Sequence, residues 1–476
     1  MSPNHHIKTD TSNKSIHSPF RRERGNSMSP NNHHIKTDTP NKGIHSPLPL
    51  ERGNSMSPNN HHIKTDTPNK SIHSPLPLER GKGVRLTFLL ITILFFMWGF
   101  AHSMLDVLNK HFQISLNISM TQAALVQNAV YGGYFLMAIP AGKIISRFGY
   151  RAGVLTGLVL FSLGALLFVP SSLLSSPLLT FYFFVFSLFV IGCGLTCLET
   201  SANPYATVLG DKEGAERRIN FAQSFNGLGW ILGPLVGLFL FREGAENNDV
   251  VIPYAIIGVI VLFMAVVFSR VPLPEVGTEN DAAEENATKA RTLWQHRNFK
   301  FGILVLMLYV AAQTGVNSFF INYTTAPAVG ISTTTATLIL AFGCMGLFMV
   351  GRLCGSWLMS RIRAERILTF CALGATLATF LILLTGGMIG TVALFFVYLF
   401  ESIMFPTIFA LSIRGLGSKQ TKQASSYLIM SIVGGAVAPT IMAFIGERSG
   451  LAQAFIVPLI CYIAILLYGM KYKTLK

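Results

Sequence analysis

Asp106 and Glu199 are carboxylates set inside stretches of chain that otherwise suit lipid. Asp106 lies in LTFLLITILFFMWGFAHSMLDVL (Leu86–Leu108), Glu199 in LLTFYFFVFSLFVIGCGLTCLETSANPYATVL (Leu178–Leu209). An acid near a bilayer centre costs about 2.5–3.5 kcal/mol or more, and neither residue has an obvious basic partner in its own segment. The chemistry that suits such a group is carriage of a proton, because a carboxyl is neutral when protonated and can be buried in one state and ionised in another. For Asp106, near the end of its apolar run, a structural hydrogen bond or a place at the outer interface is the alternative. Glu199 has apolar chain on both sides. Glu401, in a third apolar stretch, reads as a further protonatable group, a ligand contact or a protonated helix partner. Gln223 and Asn226 are three apart and share a helix face. Their amides could bind paired hydroxyl groups, or neighbouring helices, at about 0.6 kcal/mol per interhelical bond on average. Gln313 and Asn317, four apart, pose the same choice. His102, one helical turn from Asp106, either tunes or relays a proton or simply packs.

These groups need helices to hold them. The chain is 51% hydrophobic and only 12% charged, about half the charged share of a soluble domain. Apolar runs of about 20 residues, enough to cross a hydrocarbon core of about 30 Å, recur twelve times. They cover about 86–108, 121–143, 152–170, 178–208, 219–241, 251–269, 300–323, 331–357, 366–386, 389–413, 423–446 and 451–470. The runs are too long and too uniformly apolar for the alternating strands of an outer-membrane barrel. An all-α membrane protein is expected: a six-helix half over 86–270, a cytoplasmic linker over 271–299 and a second six-helix half over 300–476. Two such halves suit a central cavity. With both termini cytoplasmic, all but Lys110, Arg242 and Arg448 of the 37 Lys and Arg residues fall on the inner side. The formal charge of +15 therefore reads as topology with some attraction to anionic lipid, and nucleic acid is not an expected partner. All six cysteines fall in predicted spans, where they read as small packing residues.

Residues 1–85 are a different object. MSPNNHHIKTDTPNKSIHSPLPLERG recurs nearly three times, from Met1, Met28 and Met56. The unit has too few large apolar residues to offset chain entropy, and a disordered cytoplasmic tail is expected. Its histidine pairs read either as weak metal or docking groups or as a neutral extension.

Two sets of motifs give the helices a family likeness. GKIISRFGYRAG (Gly142–Gly153) resembles the inner-loop signature of the major facilitator superfamily at Gly142, Arg147, Gly149 and Arg151, with Ser146 where an Asp is usual. A partial echo, GRLCGSWLMSRI (Gly351–Ile362), lies in the second half. WGFAHSMLDVLNKHFQ (Trp98–Gln113), YFLMAIPAG (Tyr134–Gly142), LETSANPY (Leu198–Tyr205), NFAQSFNGLGWILGP (Asn220–Pro234) and SIMFPTIFALSIRGLG (Ser402–Gly417) resemble the fucose–galactose–glucose:proton symporter branch of that superfamily.

The resemblance implies the twelve-helix facilitator fold, with Asp106 and Glu199 as the protonatable pair and the inner loop as part of a gate. It implies Gln223 and Asn226 as sugar contacts, joined by Asn203 and by Ser103, which stands where the family often has Asn. Trp98, Tyr131 and Tyr134 could pack on the apolar face of a sugar, or pack the core. No phosphate-cradling loop, metal-ligand spacing or nucleophile–base arrangement is present, so neither enzyme chemistry nor a cofactor beyond the coupling proton is expected. The reading is a proton-coupled importer of a hexose or deoxyhexose in the plasma membrane (the inner membrane of a Gram-negative cell). The alternatives are a uniporter or a transporter of another small polar metabolite and, from a different class, a sugar-sensing receptor.

Overall fold

The structure, a computed structural model, describes residues 82–115, 120–171, 173–174, 176–211, 214–240, 248–271 and 292–475. Side chains at 82–84, 104–125, 127, 177, 234–240 and 248–250 are outside that description. So are the expected repeat tail up to Gly81 and most of the expected linker, 272–291.

Helix is the regular structure throughout the described residues. In chain order α1 is Lys82–Ser115, and α2 and α3 share the continuous stretch Met120–Leu166. Next come α4 (Pro177–Val208), α5 (Ala215–Leu240), α6 (Asn248–Arg270) and α7 (Arg297–Thr325). Helix α8 runs through Thr333–Leu338, a π-helical segment Ile339–Cys344, and Met345–Leu358. Helix α9 is Ala364–Thr385, and α10 is Gly387–Glu401 followed by Met404–Ile413. Helix α11 joins Ser418–Met430 to Gly434–Ser449, and α12 is Ile456–Leu475. Among the described residues ten stretches are long and apolar enough to cross a membrane. One of them, Asn128–Ser171, holds two helices joined at Gly149. Helix α5, whose side chains are described only to Gly233, completes the set.

Gly149 sits at φ 86°, a left-handed conformation that a Cβ disfavours, so the chain turns there between α2 and α3 without a long loop. Side chains such as Leu136, Phe263, Phe370, Leu384 and Met470 point outward, as expected where lipid is the solvent. Aromatic and small residues fill the interior. Gly133 and Gly192 explain how α2 meets α4. A Cβ on Gly133 would lie 2.8 Å from the Phe189 carbonyl oxygen, and one on Gly192 2.7 Å from that of Val130. Without those methyls the two backbones touch, as small residues allow in membrane bundles, and the neighbouring Tyr134 reaches α4.

The ends of α2, α4, α8 and α10 gather on one face with the starts of α5, α9 and α11. This face carries Lys143, Arg147, Arg151, Arg217, Arg361, Arg363, Arg366, Arg414, Lys419 and Lys422, and is called the basic face below. It is closed by contacts between helices of the first six and of the last six. Ser356 Oγ donates to the Arg217 carbonyl at 3.0 Å, and Lys422 lies over the Tyr150 ring at 5.0 Å. Asn220 Nδ2 reaches Thr407 Oγ1 at 3.1 Å. Arg414 pairs with Glu216 at 2.5 Å and with Glu365 at 3.6 Å. Burial opposes the Arg414 charge, and the Glu216 carboxylate more than restores it, holding the guanidinium above its usual range.

Candidate functional site

Two carboxylates, one per half, lie in the middle of the bundle with a guanidinium between the halves. Glu199, on α4, is 4% exposed, and its Oε1 accepts a hydrogen bond from the Tyr134 hydroxyl of α2 at 2.5 Å. That hydroxyl in turn accepts from Trp98 Nε1 of α1 at 2.7 Å. The acid on α4 is thus tied to two other helices of its own half, α2 and α1.

Asn203, one turn beyond Glu199, accepts from Gln223 Nε2 at 2.7 Å. Its own Nδ2 is buried without a hydrogen bond. Asn226 donates to the Phe95 carbonyl at 3.4 Å. Gln223, Asn226 and Asn203 therefore lie together beside Glu199, and in this conformation Gln223 and Asn226 bond across helices.

Arg352 closes the cluster from the other side. It sits in α8 and is 4% exposed. Its Nη1 donates to the Gln223 carbonyl at 2.8 Å and to Asn226 Oδ1 at 3.3 Å, so it bridges from α8 to α5. Its Nε donates to the Ser402 carbonyl at 2.7 Å. The sequence explains why that carbonyl is free: the residue four positions on is Pro406, which has no N–H to donate, and α10 is interrupted at this point. The guanidinium also lies over the Phe348 ring at 4.4 Å, with the Tyr309 hydroxyl beside it and both Glu199 and Glu401 within electrostatic reach. Glu401 is fully buried, with Oε2 accepting from Tyr462 of α12 at 2.6 Å.

The remaining candidates divide. His102 packs in a box of rings, with centroids 5.0 Å from Trp98, 5.9 Å from Trp230 and 6.1 Å from Tyr134. Ser103 turns to α5, its hydroxyl donating to the carbonyls of Phe100 and Gly229 at 2.9 and 3.3 Å, so it serves the α1–α5 contact. Gln313 lies beside the Tyr309 hydroxyl, and Asn317 Oδ1 is buried with no hydrogen bond. Tyr131 meets Thr314 across the halves at 3.3 Å. Asp106 lies on α1, and its side chain is outside the described residues. In the inner loop, Gly142 packs on Ser426 of α11 and Gly149 makes the turn. Arg147 lies over its neighbour Phe148 at 5.1 Å, and Arg151 donates to the Ser269 carbonyl at 2.5 Å. Among the described residues no group of His, Cys, Asp and Glu is placed to hold a metal ion.

Sequence reasoning missed Arg352, placing it with the charges of a basic loop. The signal was available, because Arg352 falls inside the apolar run expected over 331–357 and is as anomalous there as the two acids.

Residues 87–439 match the model of the Major Facilitator Superfamily. The chain is 35% identical over 388 residues to the glucose/galactose transporter of Brucella abortus, covering 80% of this chain and 92% of that one. It is 33% identical over 408 residues to the L-fucose-proton symporter of Escherichia coli, again covering 80% and 92%. The crystal structure of the transporter FucP in the outward conformation aligns with a TM-score of 0.70 at 32% identity, over 82% of this chain and 99% of that one. The chain belongs to the major facilitator superfamily, as a multi-pass membrane transport protein related to the fucose–proton symporter and the glucose/galactose transporters.

Proposed function

We propose that the protein imports a hexose or deoxyhexose together with a proton by alternating access. The observation that carries this reading is Glu199: a carboxyl buried in mid-bundle, held by Tyr134 and Trp98, beside the amides of Asn203, Gln223 and Asn226. A group placed so can exchange a proton with whichever face is open, while the neighbouring amides offer donors and acceptors to sugar hydroxyls. The basic face is the cytoplasmic one on this reading, and its closure corresponds to an outward-type arrangement, in line with the likeness to the outward structure of FucP.

The cycle follows. In the outward state Glu199 or Asp106 takes up a proton, and sugar engages Gln223, Asn226 and Asn203. The halves rock while the carboxyl is neutral, because an ion would cost more to carry through a closed apolar interface. Proton and sugar then leave through the opened basic face. Residues 86–270 and 300–476 are the two moving halves. The test is uptake of a panel of labelled sugars by proteoliposomes, with and without a pH gradient and a protonophore. Accumulation of a hexose that the protonophore abolishes supports the proposal. Flux indifferent to the gradient would make the protein a uniporter, and binding without flux would make it a receptor.

A further inference from the structure

Glu401 and Arg352 are buried titratable groups that the cycle above leaves without a task. Arg352 draws two of its hydrogen bonds from α5, a helix of the opposite half. Helix α5 also meets the second half toward the basic face, at Asn220 with Thr407 and with Met359 at 3.4 Å, at the Arg217 carbonyl with Ser356 and at Glu216 with Arg414, while Gly227 packs against Met349. Opening that face, as alternating access requires, separates α5 from α8 and strips Arg352 of both bonds. The Ser402 carbonyl, the Tyr309 hydroxyl and the Phe348 ring stay with it, but none replaces the two lost acceptors. A buried cation short of acceptors is disfavoured, so the opened state favours another acceptor within the half that Arg352 belongs to.

The structure holds one ready. Glu401 Oε2 is taken by Tyr462, but Oε1 is buried with no hydrogen bond. Glu401 precedes Ser402, whose carbonyl holds Arg352 Nε. Tyr309 braces the same turn by donating to the Glu401 carbonyl at 3.2 Å. Rotation about the Nε···Ser402 bond moves the Nη atoms while keeping one anchor. Glu199 is poorly suited to this role, since it is bonded to α2 and withdraws with the first half.

We propose that Glu401 is a positioning residue for transport: the acceptor onto which Arg352 turns when α5 withdraws, so that the guanidinium stays paired in both states. This rests on the alternating-access reading and adds a partner exchange inside the second half. It predicts that Glu401→Leu favours the state with the basic face closed, because no second-half acceptor then replaces the two α5 bonds of Arg352. The full-length chain, with its native cysteines replaced and spin labels at positions 147 and 419 on the basic face, reports opening as a long-distance population. Glu401→Leu should cut that population and sugar counterflow at least tenfold. Glu401→Gln, which keeps an acceptor oxygen without its charge, should cut them less. Arg352→Met in the Glu401→Leu background should restore opening, since no cation then remains to shelter. Unchanged opening in Glu401→Leu, or no recovery in the double variant, overturns the proposal. Should Glu401→Leu fail to fold, Glu401→Gln with and without Arg352→Met carries the same test. The label distances need no substrate, so they judge Glu401 even if no sugar is transported.

Discussion

The two buried glutamates occupy corresponding helices, the fourth of each half, yet their surroundings differ in kind. Glu199 hangs from Tyr134 of α2, with Trp98 of α1 behind it and the amides of α5 alongside. Two of these helices, α2 and α5, meet the other half. Glu401 hangs from Tyr462 of α12, with Tyr309 of α7 bonded to its main chain. Arg352, of the same half, lies within electrostatic reach and is bonded to the next carbonyl along, that of Ser402. On the proposals above, similar side chains in similar helices do different work: one exchanges a proton with a changing pathway, the other receives a guanidinium.

The comparison can be broken in order of expected effect. Glu199→Gln should reduce gradient-driven accumulation to the level seen with a protonophore while sugar counterflow persists; full accumulation by this variant would remove Glu199 from the coupling role. Arg352→Met leaves buried acceptors at Gln223, Asn226 and Ser402 without their donor, each costing about 1–3 kcal/mol. A large fall in detergent melting temperature and loss of uptake are expected, and a variant as stable as wild type would show that the bridge is energetically idle. Tyr134→Phe and Tyr462→Phe remove the same hydroxyl from the two glutamates. The first should lower coupled uptake about tenfold, equivalent to about 1.4 kcal/mol, and the second should lower stability more than uptake. Equal effects in both assays would erase the distinction drawn here. Glu216→Gln, which removes the buried carboxylate from its pair with the partly exposed Arg414, should loosen the closed basic face, seen as a rise in basic-face labelling; unchanged labelling would show that the pair does not hold that face shut.

How much of this was legible beforehand follows from what each residue needs. Glu199 stood out because an acid in an apolar run is costly wherever the run sits. Gln223 and Asn226 stood out by helical spacing, but the spacing could not say whether a neighbouring helix already held them. Ser103 read as a ligand contact because a relative's amide stands there, whereas its hydroxyl is used against the α5 backbone. Arg352 was hidden by a charge count that credited every base to a loop. Pro406 gave no hint that its missing N–H leaves a carbonyl for that arginine.

Composition and run length alone determine a helical membrane protein, because hydrocarbon forces every backbone group to be satisfied within a segment. The order of spans and the placement of isolated acids follow from the same local cost. Which helix faces which, and therefore which tyrosine meets which glutamate, was decided only in three dimensions. Gly133 and Gly192 bring α2 and α4 together through the absence of side chains, and hydrogen bonds at 2.5–2.8 Å between residues 65 and 129 positions apart then fix the partners. Such contacts depend on relative position across helices, which no local pattern in the chain encodes.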